Sequence, residues 1–591
     1  MQFKEANLNL QAICHIQKSN YAYAYKKDEL HIRLRTAKDD CTQVKLVISE
    51  KHRWSEKTSY EMKKVASDHL FDYYQYCYDA TNSRLGYYFE ISDGQDTLIY
   101  SESGFSKTYD DVNAYFHYFQ FPYINEVDVH QVPAWVNETV FYEIFVERFC
   151  NGDSENDKKE LCTWGEKPGP HSFYGGDLQG ILDRLDYLEE LGVNGLYLTP
   201  IFSSPSNHKY DIYDYEKIDP MFGDKELLCK LVEEAHKKGI RIILDGVFNH
   251  CSWYFAPFQD VILHGEKSKY KDWFYIRSFP ITRYTSEEVS DYSQPLDLSQ
   301  LNYSIFGTSP NMPKLNTENK ELRKYLFDTV AYWIKEAKID GWRLDVSDEV
   351  SHDFWREFRK VVKDINPEAL ILGENWHNAY PWLQGDQFDG VMNYPFTKSA
   401  IQYFAMGEKD AKDLAADLSE YLMWNSRQVL VSMLNLLDSH DTVRFLTWCN
   451  GDERKLKMAL ILMFTYIGMP GIYYGTEIGM TGNGDPDCRK TFDWERSNWN
   501  EELFEFTKQL VKLRKTMKSL KYGDIQIYAK DEVFYLKRQY EEETLVTILN
   551  ITQSEKEIEL QDNKTYLLST GDMKNNIILP LTGVIVEISS K

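Results

Sequence analysis

The strongest constraint on the fold is a series of strand and helix patterns that extends from Val140 to Tyr474. Short apolar segments alternate there with longer segments whose apolar residues recur at helical spacing. The eight predicted strands are residues 140–145, 195–199, 240–248, 339–346, 369–374, 389–393, 429–437 and 471–474. The predicted helices between them include residues 178–191, 226–238, 320–337 and 357–363. Such a succession predicts a closed parallel barrel, the (β/α)8 or TIM barrel of the α/β class.

The barrel pattern is flanked by segments with the alternation of β-sheets. Residues 1–122 contain short alternating runs separated by turns, which predict an N-terminal β-sandwich. Residues 123–500 form the predicted barrel, and an aromatic, turn-rich insertion over residues 250–316 interrupts it after the third strand. An insertion of that length is usually functional. Residues 501–591 are predicted to form a C-terminal β-sandwich after a last helix.

Composition restricts the partners and the location. The formal net charge of -25 disfavours nucleic acid and anionic membranes. The nine cysteines are scattered and include no C-x-x-C, which indicates reduced thiols rather than a disulfide framework or a zinc site. The first seven residues lack the apolar segment of a signal peptide, and no apolar run could span a bilayer. We therefore expect a cytoplasmic protein without a membrane span, whose substrate is small enough to be imported.

Charged residues and histidines collect where four of the predicted strands end. Any one of them could be a helix cap or a satisfied core histidine. Because the carboxyl ends of barrel strands meet at one rim, these side chains are expected to converge, and convergence favours catalysis over separate structural roles. The residues concerned are Asp245, His250, Arg343, Asp345, Glu374, His440 and Asp441.

Several carboxylates at one rim, without an evident Ser or Cys nucleophile, indicate glycoside hydrolysis. In its retaining form one carboxylate attacks and another protonates the leaving oxygen, and the two lie about 5–5.5 Å apart. Neighbouring strands are about 4.8 Å apart, so Asp345 and Glu374, on consecutive strands, could meet this separation. Arg343 lies two residues before Asp345 on the same strand face and would keep that nucleophile ionised. Partial burial next to Trp376 would favour the protonated form of Glu374.

The four strand-end motifs, in this order, resemble those of the α-amylase family of glycoside hydrolases over about residues 130–500. The resemblance implies that Asp345 is the nucleophile, Glu374 the general acid/base and Asp441 the stabiliser of the transition state. The remaining residues would contact the sugar at subsite −1. These residues are Asp245, His250, Arg343 and His440.

A narrower resemblance, to the neopullulanase, cyclomaltodextrinase and maltogenic amylase subgroup, lies in residues 206–211, 312–316 and 374–377 and in the N-terminal β-sandwich. It implies hydrolysis of α-1,4-glucosidic bonds, and of some α-1,6 bonds, in cyclodextrins, pullulan and maltooligosaccharides, with some transglycosylation. The partner would be an α-glucan oligosaccharide or cyclodextrin substrate. It also implies a homodimer in which the N-terminal domain narrows the partner's cleft. By the same similarity, Tyr210 would stack on the sugar and Trp376 would line the acceptor side. Further substrate contacts would come from Asp485 and Arg489.

The sequence departs from the subgroup at two positions. Gly246 stands where Ala is more usual, and this difference is expected to be neutral. Asn375 follows the acid/base where an apolar residue is commoner. Hydrogen bonding by Asn375 on the acceptor side would change the balance between hydrolysis and transfer.

A loop rich in oxygen donors follows the first strand, and a Gly-Gly-Asp sequence comes shortly after it. Ligand sets made only of oxygen suit Ca²⁺, although an ordinary polar turn has the same composition. The arrangement resembles a structural calcium site in several members of the subgroup. Its ligands would be Asn151, Asp153, Asn156, Asp157, Gly175 and Asp177.

Two other functions remain compatible with the pattern. One is an oligo-α-1,6-glucosidase or branching-type enzyme, against which residues 312–316 and the N-terminal β-sandwich weigh without deciding. The other is a non-catalytic α-glucan-binding protein, against which the complete set of three carboxylates weighs. The sequence does not rank cyclodextrin, pullulan and starch as substrates.

Overall fold

The computed structural model describes residues 8–81, 84–290, 296–558, 560, 563–574 and 576–589. The first seven residues, for which the absence of an apolar leader is predicted, lie outside these ranges. All nine cysteines lie inside them and are unpaired, in agreement with the prediction of reduced thiols. Within the described ranges, no helix combines the length and the apolar character that crossing a bilayer requires.

The predicted barrel is present. In chain order its strands β1 to β8 are Phe141–Ile144, Gly195–Leu198, Arg241–Gly246, Gly341–Leu344, Leu370–Gly373, Gly390–Val391, Leu434–Leu436 and Met469–Tyr473. Among the described residues, these strands are hydrogen-bonded in parallel in the order β6-β5-β4-β3-β2-β1-β8-β7. A parallel bridge between Met392 and Leu434 joins the two ends of this sheet. Burial on both faces explains why the strands are apolar almost throughout.

Amphipathic helices surround the barrel with their apolar faces toward it. Lys320–Glu336, for example, buries Leu322, Leu326, Val330 and Trp333. The main helices are Leu178–Asp183, Leu185–Leu191, Lys225–Lys237, Lys320–Glu336, His352–Ile365, Tyr394–Ala400, Ala411–Trp424, Glu453–Thr465 and Glu501–Thr516.

Three predicted elements need correction. The helix predicted over residues 178–191 is broken at Arg184, whose ψ of 10° is not helical. The helix predicted at residues 357–363 begins earlier, at His352, because Ser351 caps it by accepting a hydrogen bond from the Phe354 amide. The first part of the strand predicted over residues 429–437 is wrong, since Arg427–Leu430 is helical. A short apolar run does not distinguish a buried strand from a buried helical turn by its periodicity.

Two insertions follow barrel strands β2 and β3 at their carboxyl-terminal ends. After β2, the hairpin Phe202–Ser203 with Asp214–Ile218 supports the segment that carries Tyr210. After β3, the insertion contains helix Ala256–His264 and a second small hairpin. An antiparallel bridge between His250 and Lys314 ties the two ends of the insertion together. The strands of the second hairpin are Ile305–Phe306 and Ser309–Pro313.

The N-terminal segment is a β-sandwich, as predicted. Its two sheets enclose a core that includes Leu34, Leu46, Tyr87 and Phe89. One sheet contains Ala22–Lys26, Glu29–Ala37, Lys63–Ser67 and Phe71–Asp79. The other contains Gln43–Glu50, Thr58–Glu61, Leu85–Ser92, Thr97–Ser101, Gly104–Ser106 and Phe119–Phe121.

The sandwich is joined to the barrel by hydrogen bonds to backbone carbonyls. Arg33 Nη1 donates to Asn425 O at 2.9 Å, and Asn20 Nδ2 donates to Met423 O at 2.8 Å.

The C-terminal β-structure begins at Asp524, after the helices Glu501–Thr516 and Lys518–Tyr522. The first of these helices packs against Glu453–Thr465 of the barrel. The larger sheet contains Asp524–Lys530, Val533–Tyr540, Glu543–Asn550, Thr582–Ile588 and Lys564–Ser569, and the smaller one Lys556–Glu557, Met573–Lys574 and Ile577–Ile578.

Candidate active site

The ends of β3, β4 and β5 bring the predicted carboxylates together. β3 and β4 pair with Asp245 opposite Arg343, and β4 and β5 pair with Leu344 opposite Gly373. Asp345 and Glu374 therefore follow directly after paired strand ends. The register of the sheet fixes their proximity.

Arg343 is the cation at the centre of this group. It is fully buried, and its Nη1 donates to Asp345 Oδ1 at 2.9 Å and to Asp245 Oδ2 at 3.1 Å. Its Nη2 lies 3.0 Å from Glu374 Oε2. Burial, and then the neighbouring Glu374 carboxylate, raise the pKa of Asp345 well above its usual value in spite of Arg343. Arg343 opposes this rise, in the predicted direction, but its charge is shared with Asp245 and Glu374.

Glu374 is buried as predicted, but its surroundings are not apolar. Besides the ion pair with Arg343, its Oε2 accepts a hydrogen bond from the Val346 amide at 2.9 Å. Its Oε1 accepts one from Trp376 Nε1 at 3.1 Å. The carboxylate is therefore held from both sides by donors that fix its orientation.

His440 and Asp441, after β7, form an ion pair beside this group. His440 Nε2 lies 3.1 Å from Asp441 Oδ2, and His440 Nδ1 lies 2.6 Å from Glu143 Oε1 on β1. Burial opposes the charged form of His440, but the carboxylates of Asp441 and Glu143 outweigh it and raise its pKa above 6.5. Burial also opposes ionisation of Asp441, and the charges of His440 and Arg489 overcome it and lower the pKa of Asp441. Asp441 is thus an anion at the mouth of the barrel.

Tyr210 lies between the group around Arg343 and the His440–Asp441 ion pair and contacts both. Its hydroxyl donates to Asp245 Oδ2 at 2.9 Å and lies 2.7 Å from His440 Nε2. Asp245 Oδ2 also accepts a hydrogen bond from Tyr197 at 2.6 Å. Burial raises the pKa of Asp245, although Arg343 opposes this shift. This part of the site therefore offers an aromatic ring and oriented polar groups, as sugar binding requires.

His250 lies at the rim under the insertion. Its ring stacks on Phe306, with centroids 4.5 Å apart and planes 11° apart. Burial lowers the pKa of His250 to about 3, so the ring is neutral. Its Nε2 is buried and finds no hydrogen-bond partner among the described residues.

The predicted acceptor-side residues also reach this rim. Trp376 is 42 % exposed and stacks on Tyr394 at 3.7 Å. Arg489 Nη2 donates to Asp441 Oδ1 at 3.1 Å, and its Nη1 lies 3.0 Å from Asp485 Oδ1. The structure therefore brings every predicted catalytic and substrate-binding residue to one end of the barrel.

The predicted calcium ligands form a separate group after β1. Asp177 accepts hydrogen bonds from the amides of Gly152 at 3.1 Å, Asp153 at 2.9 Å and Gly180 at 2.6 Å, and from Asn156 Nδ2 at 3.0 Å. It also caps the helix Leu178–Asp183. Asp177 thus accepts hydrogen bonds from N–H groups along the whole loop.

Two features of the loop nevertheless fit a cation. Asn156 Oδ1 is buried and has no hydrogen-bond partner among the described residues. Gly175, at φ +81°, touches Asp157 Oδ1 and the Asn151 amide so closely that a Cβ there would collide with both. A buried acceptor next to a carboxylate is the donor set that Ca²⁺ prefers.

A second group of possible metal ligands lies in the N-terminal domain. One ligand atom each of Glu29, His31 and Cys77 lies within 4.8 Å of the others. His31 Nε2 already contacts Glu29 Oε1 at 2.8 Å, and Nδ1 contacts Tyr23 OH at 3.0 Å. Arg33 donates to the same Tyr23 hydroxyl, so its charge disfavours a cation nearby. We assign no metal to this group.

Three residues of the site were not found in the sequence. Glu143 was detectable in principle, because it is a carboxylate inside an apolar strand segment. Tyr197 and Tyr394 were not, since a tyrosine in or after a buried strand usually belongs to the core. Asn375, predicted to act on the acceptor side, is instead buried, with its Oδ1 3.0 Å from Ser347 Oγ.

Comparisons with known proteins agree with this geometry. The family model described as alpha amylase, catalytic domain, matches residues 143–499, and that described as alpha amylase, N-terminal ig-like domain, matches residues 8–125. A cyclomaltodextrinase of Geobacillus thermopakistaniensis (strain MAS1) is 47% identical over 558 residues, which are 93% of this chain and 92% of that protein.

Two further relatives are similar along almost their whole length. Neopullulanase 2 of Thermoactinomyces vulgaris is 44% identical over 550 residues, 92% of this chain and 91% of that protein. A solved cyclomaltodextrinase structure has a TM-score of 0.88 at 41% identity and covers 98% of both chains. The chain therefore belongs to the α-amylase family of glycoside hydrolases.

Proposed function

We propose that the protein is a retaining hydrolase that cleaves α-1,4-glucosidic bonds in cyclodextrins, pullulan and maltooligosaccharides, with some transglycosylation. The observation that carries the proposal is the placement of Asp345 and Glu374 on adjacent strand ends, at opposite nitrogens of Arg343. The names of the cyclomaltodextrinase and neopullulanase relatives support the substrate class.

In the first step, Asp345 attacks the anomeric carbon while the glycosidic bond breaks and the leaving oxygen takes a proton from Glu374. The product is a glycosyl ester on Asp345. In the second step, Glu374 takes a proton from water, whose oxygen attacks the anomeric carbon and releases Asp345. Transfer follows when a sugar hydroxyl replaces the water. The configuration is retained because the carbon is inverted twice.

The pair must carry one proton at the start, and this proton must be on Glu374. Burial, and then the Glu374 carboxylate, raise the pKa of Asp345. A bound sugar offers its glycosidic oxygen to Glu374 as an acceptor, which favours the proton there. Asp441, held ionised by His440 and Arg489, stabilises the positive charge that develops on the sugar ring.

Asp345→Asn tests the assignment. It should abolish turnover while leaving the melting temperature within a few degrees of wild type, and full activity would overturn it. Retention is tested by following the anomer that is released first by NMR.

The substrate class is tested by offering β-cyclodextrin, pullulan and soluble starch in parallel. Cleavage of the ring, with starch the poorest substrate, is expected. Preference for starch with a ladder of long products would contradict the proposed substrate class. Exclusive cleavage of α-1,6 bonds or formation of branches would favour the alternative functions.

We also propose that the loop after β1 holds a structural Ca²⁺. Asn151, Asn156 and Asp157, with Asp153, Asp177 and the carbonyl of Gly175, would supply its oxygens. The cation would anchor the loop and would take no part in the chemistry. Removal of calcium with a chelator should lower the melting temperature, and readdition should restore it. An unchanged melting temperature would contradict the proposal.

Finally, we propose a homodimer through the N-terminal domain. The support is a set of large apolar side chains exposed near the end of this domain, including Val112, Tyr115 and Phe116. Sedimentation should give the mass of two chains for wild type and of one chain for Phe116→Glu.

The nine unpaired cysteines favour the cytoplasm as the location.

A further inference from the structure

The backbone after the nucleophile adopts an unusual conformation. Val346 has φ 44° and ψ 45°, in the left-handed region that a β-branched residue rarely adopts. This conformation directs its N–H at Glu374 Oε2, at 2.9 Å. Strain of this kind persists only where the surrounding structure enforces it. The turn that carries Val346 is therefore held in place from outside.

The next residue makes a second connection. Ser347 Oγ lies 2.8 Å from the carbonyl oxygen of Glu374 and 3.0 Å from Asn375 Oδ1, and all these groups are buried. The carbonyl of Ser347 accepts a hydrogen bond from Trp355 Nε1 at 2.8 Å. A Cβ at Gly373 would lie 2.9 Å from Ser347 Oγ, so the close approach of these two segments of the chain requires glycine at position 373.

We propose that Val346, Ser347 and Asn375 form a clasp that positions the Glu374 carboxylate against Asp345. The inference rests on the proposed function, because it takes Glu374 as the acid. The clasp residues are positioning residues. Val346 orients one carboxylate oxygen, and the Ser347 hydroxyl contacts the backbone carbonyl of Glu374 and the side chain of Asn375.

The clasp also gives Asn375 a role. This residue departs from the apolar type expected in the subgroup, and its side chain is buried against Ser347. Its amide and the Ser347 hydroxyl are polar partners in an otherwise buried place. Replacing Ser347 by alanine leaves Asn375 Oδ1 without this donor, whereas replacing both residues with apolar groups removes that mismatch.

The test compares two substrates that differ in their need for an acid. Cleavage of maltotriose needs protonation of the leaving oxygen, whereas α-maltosyl fluoride releases fluoride without it. The value of kcat/KM reports the first chemical step for both. Ser347→Ala and Asn375→Leu should each lower kcat/KM for maltotriose about tenfold and for the fluoride less than twofold. The double variant should recover the part of the Ser347→Ala loss that comes from the unpaired Asn375 oxygen. In pH profiles of maltotriose cleavage, the limb that reports the acid should move in the single variants.

Two controls separate the possible outcomes. Ser432→Ala removes another buried hydroxyl, which bonds Asp389 O at 2.5 Å at the opposite end of the barrel. It should lower the melting temperature and leave the ratio of the two kcat/KM values unchanged. Equal losses on both substrates in the clasp variants, or no loss on either, would overturn the clasp.

Glu374→Gln distinguishes failure of the clasp from failure of the proposed function. It should lose maltotriose cleavage and retain much of the first step with the fluoride. If Glu374→Gln keeps full activity on maltotriose, the acid assignment fails, and the clasp with it. If Glu374→Gln behaves as expected while the clasp variants match wild type, the clasp alone is wrong.

Discussion

Replacing Glu143 by glutamine tests how the barrel sets the charge of His440. Glu143 Oε1 lies 2.6 Å from His440 Nδ1 and 3.2 Å from the His440 amide nitrogen. Because carboxylates face both ring nitrogens, the imidazolium form is favoured and the pKa of His440 is raised. Glutamine keeps an acceptor of the same shape but removes the negative charge.

The expected magnitude follows from the kind of hydrogen bond. A hydrogen bond to a charged group contributes about 1.5–3 kcal/mol, against about 0.5–1.5 kcal/mol for a neutral pair. The difference is about 1–1.5 kcal/mol, which corresponds to roughly one pKa unit. Glu143→Gln should therefore lower the pKa of His440 by about one unit.

Stability should change with pH in a defined direction. Because the pKa of His440 is raised above its ordinary value of 6.5, protonation of His440 stabilises the fold below that value. This contribution is lost as the pH rises through the folded-state pKa. The melting temperature of Glu143→Gln should therefore fall below wild type at pH 6, and the gap should narrow at alkaline pH.

The pH profile of kcat/KM for maltotriose provides the second readout, since His440 faces the proposed subsite. Its alkaline limb, which reports loss of the proton from His440 as well as from Glu374, should move to lower pH in Glu143→Gln. The matched control is Glu477→Gln, which alters a fully buried carboxylate that accepts a hydrogen bond from Tyr142 at 2.7 Å outside the site. It should destabilise without moving the limb. A gap that widens at alkaline pH, or an unmoved limb, would refute the reasoning.

Two further variants test other parts of the structure. Gly175→Ala places a Cβ against Asp157 and Asn151 at a positive φ. It should lower the melting temperature and the calcium affinity together. An unchanged calcium titration would contradict calcium binding by this loop. Trp376→Phe keeps the stack on Tyr394 but removes the N–H that holds Glu374, so kcat should fall several-fold with little change in the KM for maltotriose; a change in KM alone would indicate a binding role only.

The sequence predicts the barrel and its rim well for a physical reason. Buried parallel strands are apolar on both faces, so a charged residue at the end of such a segment stands out. Asp345 and Glu374 were found in this way. The predicted start of the seventh strand, at Val429, is wrong because the apolar run around this residue has no periodicity that distinguishes a helix from a strand. Strand register then brings the two carboxylates together without help from the loops.

Long-range partners could not be predicted in the same way. Glu143 and His440 are separated by 297 positions in the chain, and no local pattern connects them. The same holds for Arg343, which the sequence pairs with Asp345 but which the fold also shares with Asp245 and Glu374. The charge of Asp345 therefore depends on all the carboxylates that the closed barrel places around Arg343. The sequence of a single strand does not reveal carboxylates that come from other strands.

Val346→Gly tests whether the backbone strain after the nucleophile serves function. Valine at φ 44° and ψ 45° costs about 1–3 kcal/mol, and glycine adopts this conformation without that cost. Part of the relief is offset by the greater freedom of glycine in the unfolded chain. The melting temperature should therefore stay level or rise.

The same substitution should lower activity, because a glycine turn no longer confines the N–H that faces Glu374 Oε2. We expect kcat/KM for maltotriose to fall several-fold while kcat/KM for α-maltosyl fluoride changes little. Val346→Ala keeps most of the strain and provides the control, with activity near wild type. Opposite changes in stability and activity are the signature of strain retained for positioning. A Val346→Gly variant that loses stability and activity together would mean that the valine side chain matters for packing, and the strain argument would fall.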